Sequence, residues 1–164
     1  MTEVVLETMI GESDAQRLIR EKAPSFQVLR SELAYRPYSG FVYRLETRTG
    51  RSRRVHTLVD RLSGKTSITE PWRTTALRDP KGRTMDDSEW GQVSFAEARR
   101  RSRQAVDSTA QRSKSPVAGN REVDERLRHP TVWKPSWVLD GVVGGRDVRV
   151  LVDAVDGGST VDGP

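Results

Sequence analysis

Few residue types in this chain could carry out catalysis or hold a metal ion. The 164 residues contain no cysteine and two histidines. His56 lies in the middle of a predicted strand, and His129 precedes a proline. Neither histidine has a second metal-ligating residue at the spacing of a zinc site, so both are predicted to be structural or surface residues. Without cysteine, a thiolate zinc site and a cysteine nucleophile are excluded.

Three further patterns resemble functional motifs only in part. Asp86, Asp87 and Glu89 are adjacent acids in a polar stretch, where nothing nearby would raise a carboxylate pKa for acid–base catalysis. Residues 141–145 lack the third glycine of a dinucleotide fingerprint and favour a hairpin turn. The C-terminal aspartates depart from the spacing of a calcium loop. The sequence therefore predicts no catalytic residue, no metal site and no cofactor, and we expect the protein not to be an enzyme.

Arginine provides the most prominent pattern. Twenty-three of the 28 basic residues are arginine, and basic charge concentrates in residues 35–83 and 91–130. Such clusters can neutralise phosphates or contact an acidic partner, and they can also form a solvated surface. The candidate polyanion-binding residues are Arg44, Arg48, Arg51, Arg53 and Arg54 in a predicted hairpin, and Arg99, Arg100 and Arg103 on a predicted helix.

Aromatic residues accompany the hairpin arginines and allow two interpretations. Tyr35, Tyr38, Phe41 and Tyr43 could stack on the bases of a single strand. Aromatic residues that alternate along a strand are more often core residues and cross-strand pairs. We therefore expect these side chains to lie mainly in the core.

The composition is typical of a globular protein with a small hydrophobic core and a highly charged surface. Hydrophobic residues make up 34% of the chain, charged residues make up 31%, and the net charge is +5. No run of about 18 apolar residues is present, so no membrane span is predicted. The first residues contain acids and lack the pattern of a secretory signal. We expect a cytoplasmic location.

A duplicated pattern organises the chain. The pattern R-x-V-x-x-L-V-D-x-x-x-G occurs at residues 53–64 and again at residues 146–157. Upstream of each copy lie an aromatic-x-Pro pattern and an S-x-x-[Q/E] helix-capping pattern. Three blocks in the same order predict two tandem repeats. The predicted boundaries are an N-terminal extension (1–12), repeat 1 (13–71), a linker (72–93) and repeat 2 (94–164).

Each repeat is predicted to pack one helix on an antiparallel sheet of three or four strands, which gives an α+β fold. The helices are expected to begin at Ser13 and Ser94, where the capping patterns stand. In repeat 1, the apolar and polar alternation predicts strands at about 26–35, 40–48, 53–60 and 66–70.

One aspartate and one glycine are predicted to build the last turn of each repeat. An aspartate that ends a strand can accept hydrogen bonds from backbone N–H groups two residues later. A glycine four positions after it supplies the positive φ that closes the turn. These structural turn residues are Asp60, Gly64, Asp153 and Gly157.

The capped helix, the aromatic-x-Pro pattern and the final V-x-x-L-V-D-x-x-x-G hairpin resemble PepSY-type modules. In that family a helix lies on a small antiparallel sheet, and the last hairpin often reads V-D-a-x-T-G. The aspartate and glycine positions match in both repeats, whereas Ser63 and Asp156 stand where the family often has threonine. The resemblance implies a binding or inhibitory module, and no functional residue is assigned through it.

Three functional hypotheses follow. The first is a non-enzymatic protein-interaction or scaffold module of a cytoplasmic multiprotein assembly, because sheet edges and faces are docking surfaces. The alternative is a nucleic-acid-binding accessory protein that uses the basic hairpin and the arginine-rich helix. The third, implied by the resemblance, is an intracellular peptidase inhibitor or chaperone. A protein partner is expected first and nucleic acid second, and the oligomeric state is not predicted.

Overall fold

The computed structural model describes residues 4–46, 50–77, 93–112 and 122–162, which contain two helices and eight strands. More than half of these residues lie in strands, and the fold is α+β. Neither helix in the described part combines the length and the apolar character needed to cross a bilayer. In chain order the elements are β1 (Val4–Leu6), α1 (Glu12–Lys22), β2 (Gln27–Glu46), β3 (Ser52–Asp60), β4 (Thr66–Thr69), β5 (Thr74–Ala76), α2 (Phe95–Arg112), β6 (Glu122–Val143), β7 (Arg146–Asp153) and β8 (Ser159–Asp162).

The strands belong to one eight-stranded sheet. Its order is β4-β3-β2-β6-β1-β5, with β7 paired to β6 and β8 paired to β7. Two strands are much longer than predicted: β2 has 20 residues and β6 has 22. The expected break between strands 26–35 and 40–48 does not exist, because Tyr38 and Ser39 pair with Asp60 and Val59 of β3.

The predicted architecture of two helix-on-sheet repeats is wrong, because each helix packs on strands of the other repeat. The chain divides into two compact units. Helix α1 shares a core with β6 and β7 in unit 1, and α2 shares a core with β2 and β3 in unit 2. Unit 1 consists of Met1–Arg36, Thr74–Thr84 and Trp133–Pro164, and unit 2 consists of Pro37–Arg73 and Met85–Val132.

Strand β2 contributes to both units, with residues 27–36 in unit 1 and residues 37–46 in unit 2. Helix α1 immediately precedes the unit 1 part, whereas α2 packs on Phe41, Tyr43 and Leu45 of the unit 2 part. A sequence interpretation that breaks β2 in its middle instead assigns both parts to the same helix.

The core of unit 1 is aliphatic and aromatic. A Cβ atom on Gly141 would collide with the ring of Phe26 and the carbonyl oxygen of Gln27, so the glycine leaves room for the phenylalanine. Helix α1 begins after Gly11, and Ser13 lies within the first turn instead of capping it. The buried core residues are Ala15, Ile19, Phe26, Leu139, Val150 and Val152.

The core of unit 2 contains a buried group of hydroxyls. The Ser102 Oγ atom of α2 lies 2.7 Å from Tyr43 Oη and 2.6 Å from Thr57 Oγ1. Burial raises the pKa of Tyr43. These hydrogen bonds fix how α2 faces the sheet, and they place Tyr43 in the core, where it cannot stack on a base. The buried core residues are Phe41, Tyr43, Leu45, Val55, Val59, Val93, Ala98 and Val106.

Equivalent turns connect β3 to β4 and β7 to β8. The Oδ1 atoms of Asp60 and Asp153 accept hydrogen bonds from the N–H groups two and three residues later, at 2.8 to 3.3 Å. Gly64 and Gly157 have φ values of 77° and 80°, and their N–H groups donate to the carbonyl oxygens of these aspartates. The matching geometry defines which positions of the two units are equivalent.

Candidate binding surfaces

Strands β4 and β8 are equivalent edge strands. Among the strands that the structure describes, β4 pairs only with β3, and β8 pairs only with β7. Ile68 in β4 and Val161 in β8 are 42% and 68% exposed. They pair with Thr57 and Val150, which face the helices, and directly opposite residues share a face of the sheet. Each unit therefore exposes one aliphatic side chain where its helix-covered face reaches the sheet edge.

Each of these edge strands is only four residues long, and neither contains the lysine or proline that often blocks pairing with another chain. Natural edge strands are often blocked by lysine, proline or a bulge. Strand β4 reads Thr-Ser-Ile-Thr and β8 reads Ser-Thr-Val-Asp, without lysine or proline. An extended segment can pair with such an edge through main-chain hydrogen bonds and place a side chain beside the exposed aliphatic residue.

A second surface, which we term the arginine concavity, lies in unit 2. It is an open depression of about 480 Å³. The lining residues are Arg44 of β2, Ser52, Arg53 and Arg54 of β3, and Arg126 of β6. Three of the predicted polyanion-binding residues are thus brought together, along with one arginine that the sequence interpretation missed.

Positive charge in the arginine concavity is only partly compensated. Glu46 lies 3.1 Å from Arg44, and Asp124 lies 3.2 Å from Arg126. The two β3 arginines form no ion pair with any residue that the structure describes. The Nε atom of Arg44 is buried and has no hydrogen-bond acceptor among the described residues. The concavity therefore retains positive charge that an anionic ligand could use.

Arg44 and Arg54 are directly opposite each other in the β2–β3 pair. Like charges at directly opposite positions destabilise a sheet. The equivalent positions of unit 1 hold Val142 and Asp147, which also pair directly. The fold therefore does not require two arginines at this position.

The two units also differ in overall charge. Unit 2 contains 17 basic and 11 acidic residues, for a net charge of +6, whereas unit 1 contains 11 and 12, for a net charge of −1. All of the positive net charge of the chain therefore belongs to the unit that contains the arginine concavity.

The predicted arginines of α2 are held in ion pairs. Hydrogen bonds from Arg100 and Arg101 lower the pKa of Glu97 to about 2. These i, i+3 and i, i+4 pairs could have been found from helical spacing, whereas the contact of Arg99 with β6 could not. The ion pairs are Arg99 with Glu125, Arg100 with Glu97, and Arg103 with Asp107. Because each of these guanidinium groups already has a carboxylate partner, the helix face is a weaker anion site than the concavity.

Two predicted arginines of the hairpin do not line the described part of the concavity. Arg48 falls outside the described residues, and Arg51 is an exposed residue that precedes β3. Arg126 was missed because its position beside the hairpin depends on β6 lying next to β2. No local sequence signal reports that long-range pairing.

Both histidines lie beside Trp72 in unit 2. The Trp72 ring centroid is 5.2 Å from that of His56 and 6.1 Å from that of His129. Trp72 is 9% exposed, and its Cζ2 and Cη2 atoms lie over Gly40. Burial lowers the pKa of both histidines, and the positive charge of Arg54 contributes at His56.

We expect this cluster to make the protein less stable in acid. A histidine pKa that is lower in the folded state than its unfolded value of about 6.5 means that the unfolded chain binds more protons. The free energy of unfolding should therefore be highest when the pH is above the unfolded-state pKa of about 6.5, and it should decrease as the pH falls toward the folded-state pKa. Urea unfolding at about pH 7.5 and about pH 5.5 should show the loss, and replacing both histidines with glutamine should remove most of it. An equal loss in the double variant would exclude the histidines as its cause.

Comparisons with known proteins assign no family. No protein-family model, curated protein or solved structure matches the chain. The PepSY resemblance therefore stays a prediction from the sequence. Within the described residues, no group of three or more histidine, aspartate or glutamate side chains is close enough together to hold a metal ion.

Proposed function

We propose that the protein is a non-enzymatic interaction module that binds an extended segment of a partner protein by strand addition. The observation that carries this proposal is the pair of equivalent edge strands, each with an exposed aliphatic residue at its third position. Two such edges in one chain would allow it to hold two partner segments, as a scaffold does.

The energetics of an edge suit a specific but reversible interaction. Each new main-chain hydrogen bond contributes about 0.5–1.5 kcal/mol net. Covering Ile68 or Val161 adds hydrophobic free energy at about 25 cal/mol per Å² of apolar surface. A four-residue edge alone provides a limited number of contacts, so a partner that pairs with both edges would bind more tightly than one that pairs with a single edge.

Aspartate at the exposed aliphatic positions should strongly weaken partner binding. The variants Ile68→Asp and Val161→Asp place a charge beside the added strand, where it would have to be desolvated. We expect each to reduce the recovery of a partner from nuclease-treated extract of the native cell by about tenfold, which corresponds to about 1.4 kcal/mol. Quantitative mass spectrometry of the tagged protein and its variants would measure this.

Leu127→Asp and Leu29→Asp are matched controls. Both leucines are exposed, and they lie on β6 and β2, which have neighbours on both sides in the sheet. The control variants should retain the partner. Equal loss in edge and control variants would contradict strand addition, as would unchanged recovery with both edges altered.

We further propose that the module works in a cytoplasmic multiprotein assembly, because the chain has no cysteine and gains nothing from an oxidising compartment. Recovery of a peptidase as the edge-dependent partner would support the inhibitor or chaperone role that the PepSY resemblance implies.

A further inference from the structure

We propose that the arginine concavity of unit 2 binds the sugar–phosphate backbone of a nucleic acid. This site is separate from the edge residues Ile68 and Val161, and its evidence does not depend on strand addition. With both sites, the protein would connect a nucleic acid to a protein partner.

The opposed Arg44 and Arg54 are the first argument. Their repulsion opposes folding, and the equivalent Val142 and Asp147 pair in unit 1 is compatible with the same strand register. Glu46 forms an ion pair with Arg44 but not with Arg54, so a destabilising pair that the fold does not require is explained if a ligand supplies further negative charge.

The lining of the concavity distinguishes nucleic acid from an acidic protein. Among the described residues, the lining consists of four arginines and one serine and includes no apolar side chain. Protein–protein interfaces have an apolar centre, whereas protein–nucleic-acid interfaces are more polar and much more positively charged. Guanidinium forks and hydroxyls are also the side-chain groups that contact phosphate oxygens most often.

The surrounding residues indicate contact with the backbone and not with bases. Of the four strand aromatics that could have stacked on bases, Phe41 and Tyr43 are fully buried against α2, and Tyr35 and Tyr38 are half-buried. None of the four is among the described residues that line the concavity. Phosphate contacts fix position but carry little sequence information. We therefore expect binding that depends steeply on salt and weakly on sequence.

Fluorescence anisotropy with a short labelled duplex DNA tests the site. Arg44→Ala combined with Arg54→Ala should lower the affinity at least about tenfold near 50 mM salt and reduce the slope of log K against log salt by about 2, since each phosphate contact contributes about 0.9 to that slope. The matched control is Arg146→Ala combined with Arg149→Ala, which removes the same charge from unit 1.

A second variant keeps the test valid if the alanine variant folds poorly. Arg44→Val with Arg54→Asp copies the residues that unit 1 carries at the same register, and it should fold while losing DNA binding. Selective loss in the unit 2 variants supports the proposal. Equal loss in the unit 1 control, or no binding of DNA by the unaltered protein, would overturn it. Tighter binding of polyglutamate than of DNA would show that the ligand is an acidic protein and not a nucleic acid.

Discussion

Replacing Arg61 with methionine should lower the free energy of unfolding by about 3 kcal/mol, although this residue belongs to a turn. Its side chain is 7% exposed, and its Nε atom donates to the carbonyl oxygen of Val93 at 2.7 Å. Its Nη1 atom donates to the carbonyl oxygen of Pro130 at 2.8 Å and to Ser39 Oγ at 3.1 Å. Methionine fills a similar volume but leaves the carbonyl oxygen of Val93 without this donor, while the carbonyl oxygen of Pro130 keeps only its hydrogen bond from Ser39 Oγ at 2.6 Å.

The arginine connects segments that lie far apart in the sequence. Its partners come from β2, from the segment before α2 and from β6, so losing it should weaken unit 2 as a whole. The equivalent residue of unit 1 is Ala154, whose N–H group donates to the carbonyl oxygen of Pro135 as that of Arg61 does to Pro37. The main-chain turn thus forms without the guanidinium, and the effect of the substitution should come from the side chain alone.

Urea unfolding of Arg61→Met beside Arg73→Met measures this effect. Arg73 is exposed, and its replacement should change the free energy of unfolding by less than about 0.5 kcal/mol. If the Arg61→Met variant were as stable as the Arg73→Met variant, the hydrogen bonds of the Arg61 side chain would make no net contribution to the free energy of unfolding.

Local features of this fold can be predicted from the sequence, because their causes are local. The aspartate and glycine that end each R-x-V-x-x-L-V-D-x-x-x-G pattern specify the turn by their own hydrogen bonds and φ angle. Ser94 caps α2 by accepting a hydrogen bond from the N–H group of Glu97. The same capping pattern at Ser13 predicts the wrong start for α1, because a short pattern does not show which residue precedes the first helical turn.

The exchange of helices has no local cause and could not be predicted in this way. Pro37 lies between the strands predicted at about 26–35 and 40–48, but both it and Pro135 are buried within long strands. Their carbonyl oxygens accept hydrogen bonds from the turns that follow β3 and β7. The candidate binding residues follow the same division. The hairpin arginines were found from their spacing, whereas the contributions of Arg126 and Glu125 depend on where β6 lies.

Ile19→Ala provides a direct test of the exchanged helices. It should lower the free energy of unfolding by about 3 kcal/mol, within the usual range for truncating a buried isoleucine. Ile19 of α1 belongs to the core cluster of Leu139, Val150 and Val152 in repeat 2. Combined with Leu139→Ala, it should show a coupling energy of about 1 kcal/mol, because both side chains line one core. The two substitutions should also lower the urea midpoint of the same unfolding transition.

The control is Leu45→Ala, which truncates a buried residue of β2 in the core that α2 covers. Helix α1 and Leu45 belong to the same predicted repeat, so a helix packed on its own repeat would couple them. With the helices exchanged, the losses in free energy of unfolding caused by Ile19→Ala and Leu45→Ala should be additive within about 0.5 kcal/mol. The opposite result would be strong coupling of Ile19 to Leu45 together with additivity between Ile19 and Leu139. It would contradict the exchange of helices. It would also remove the basis for treating the edges of β4 and β8 as equivalent sites.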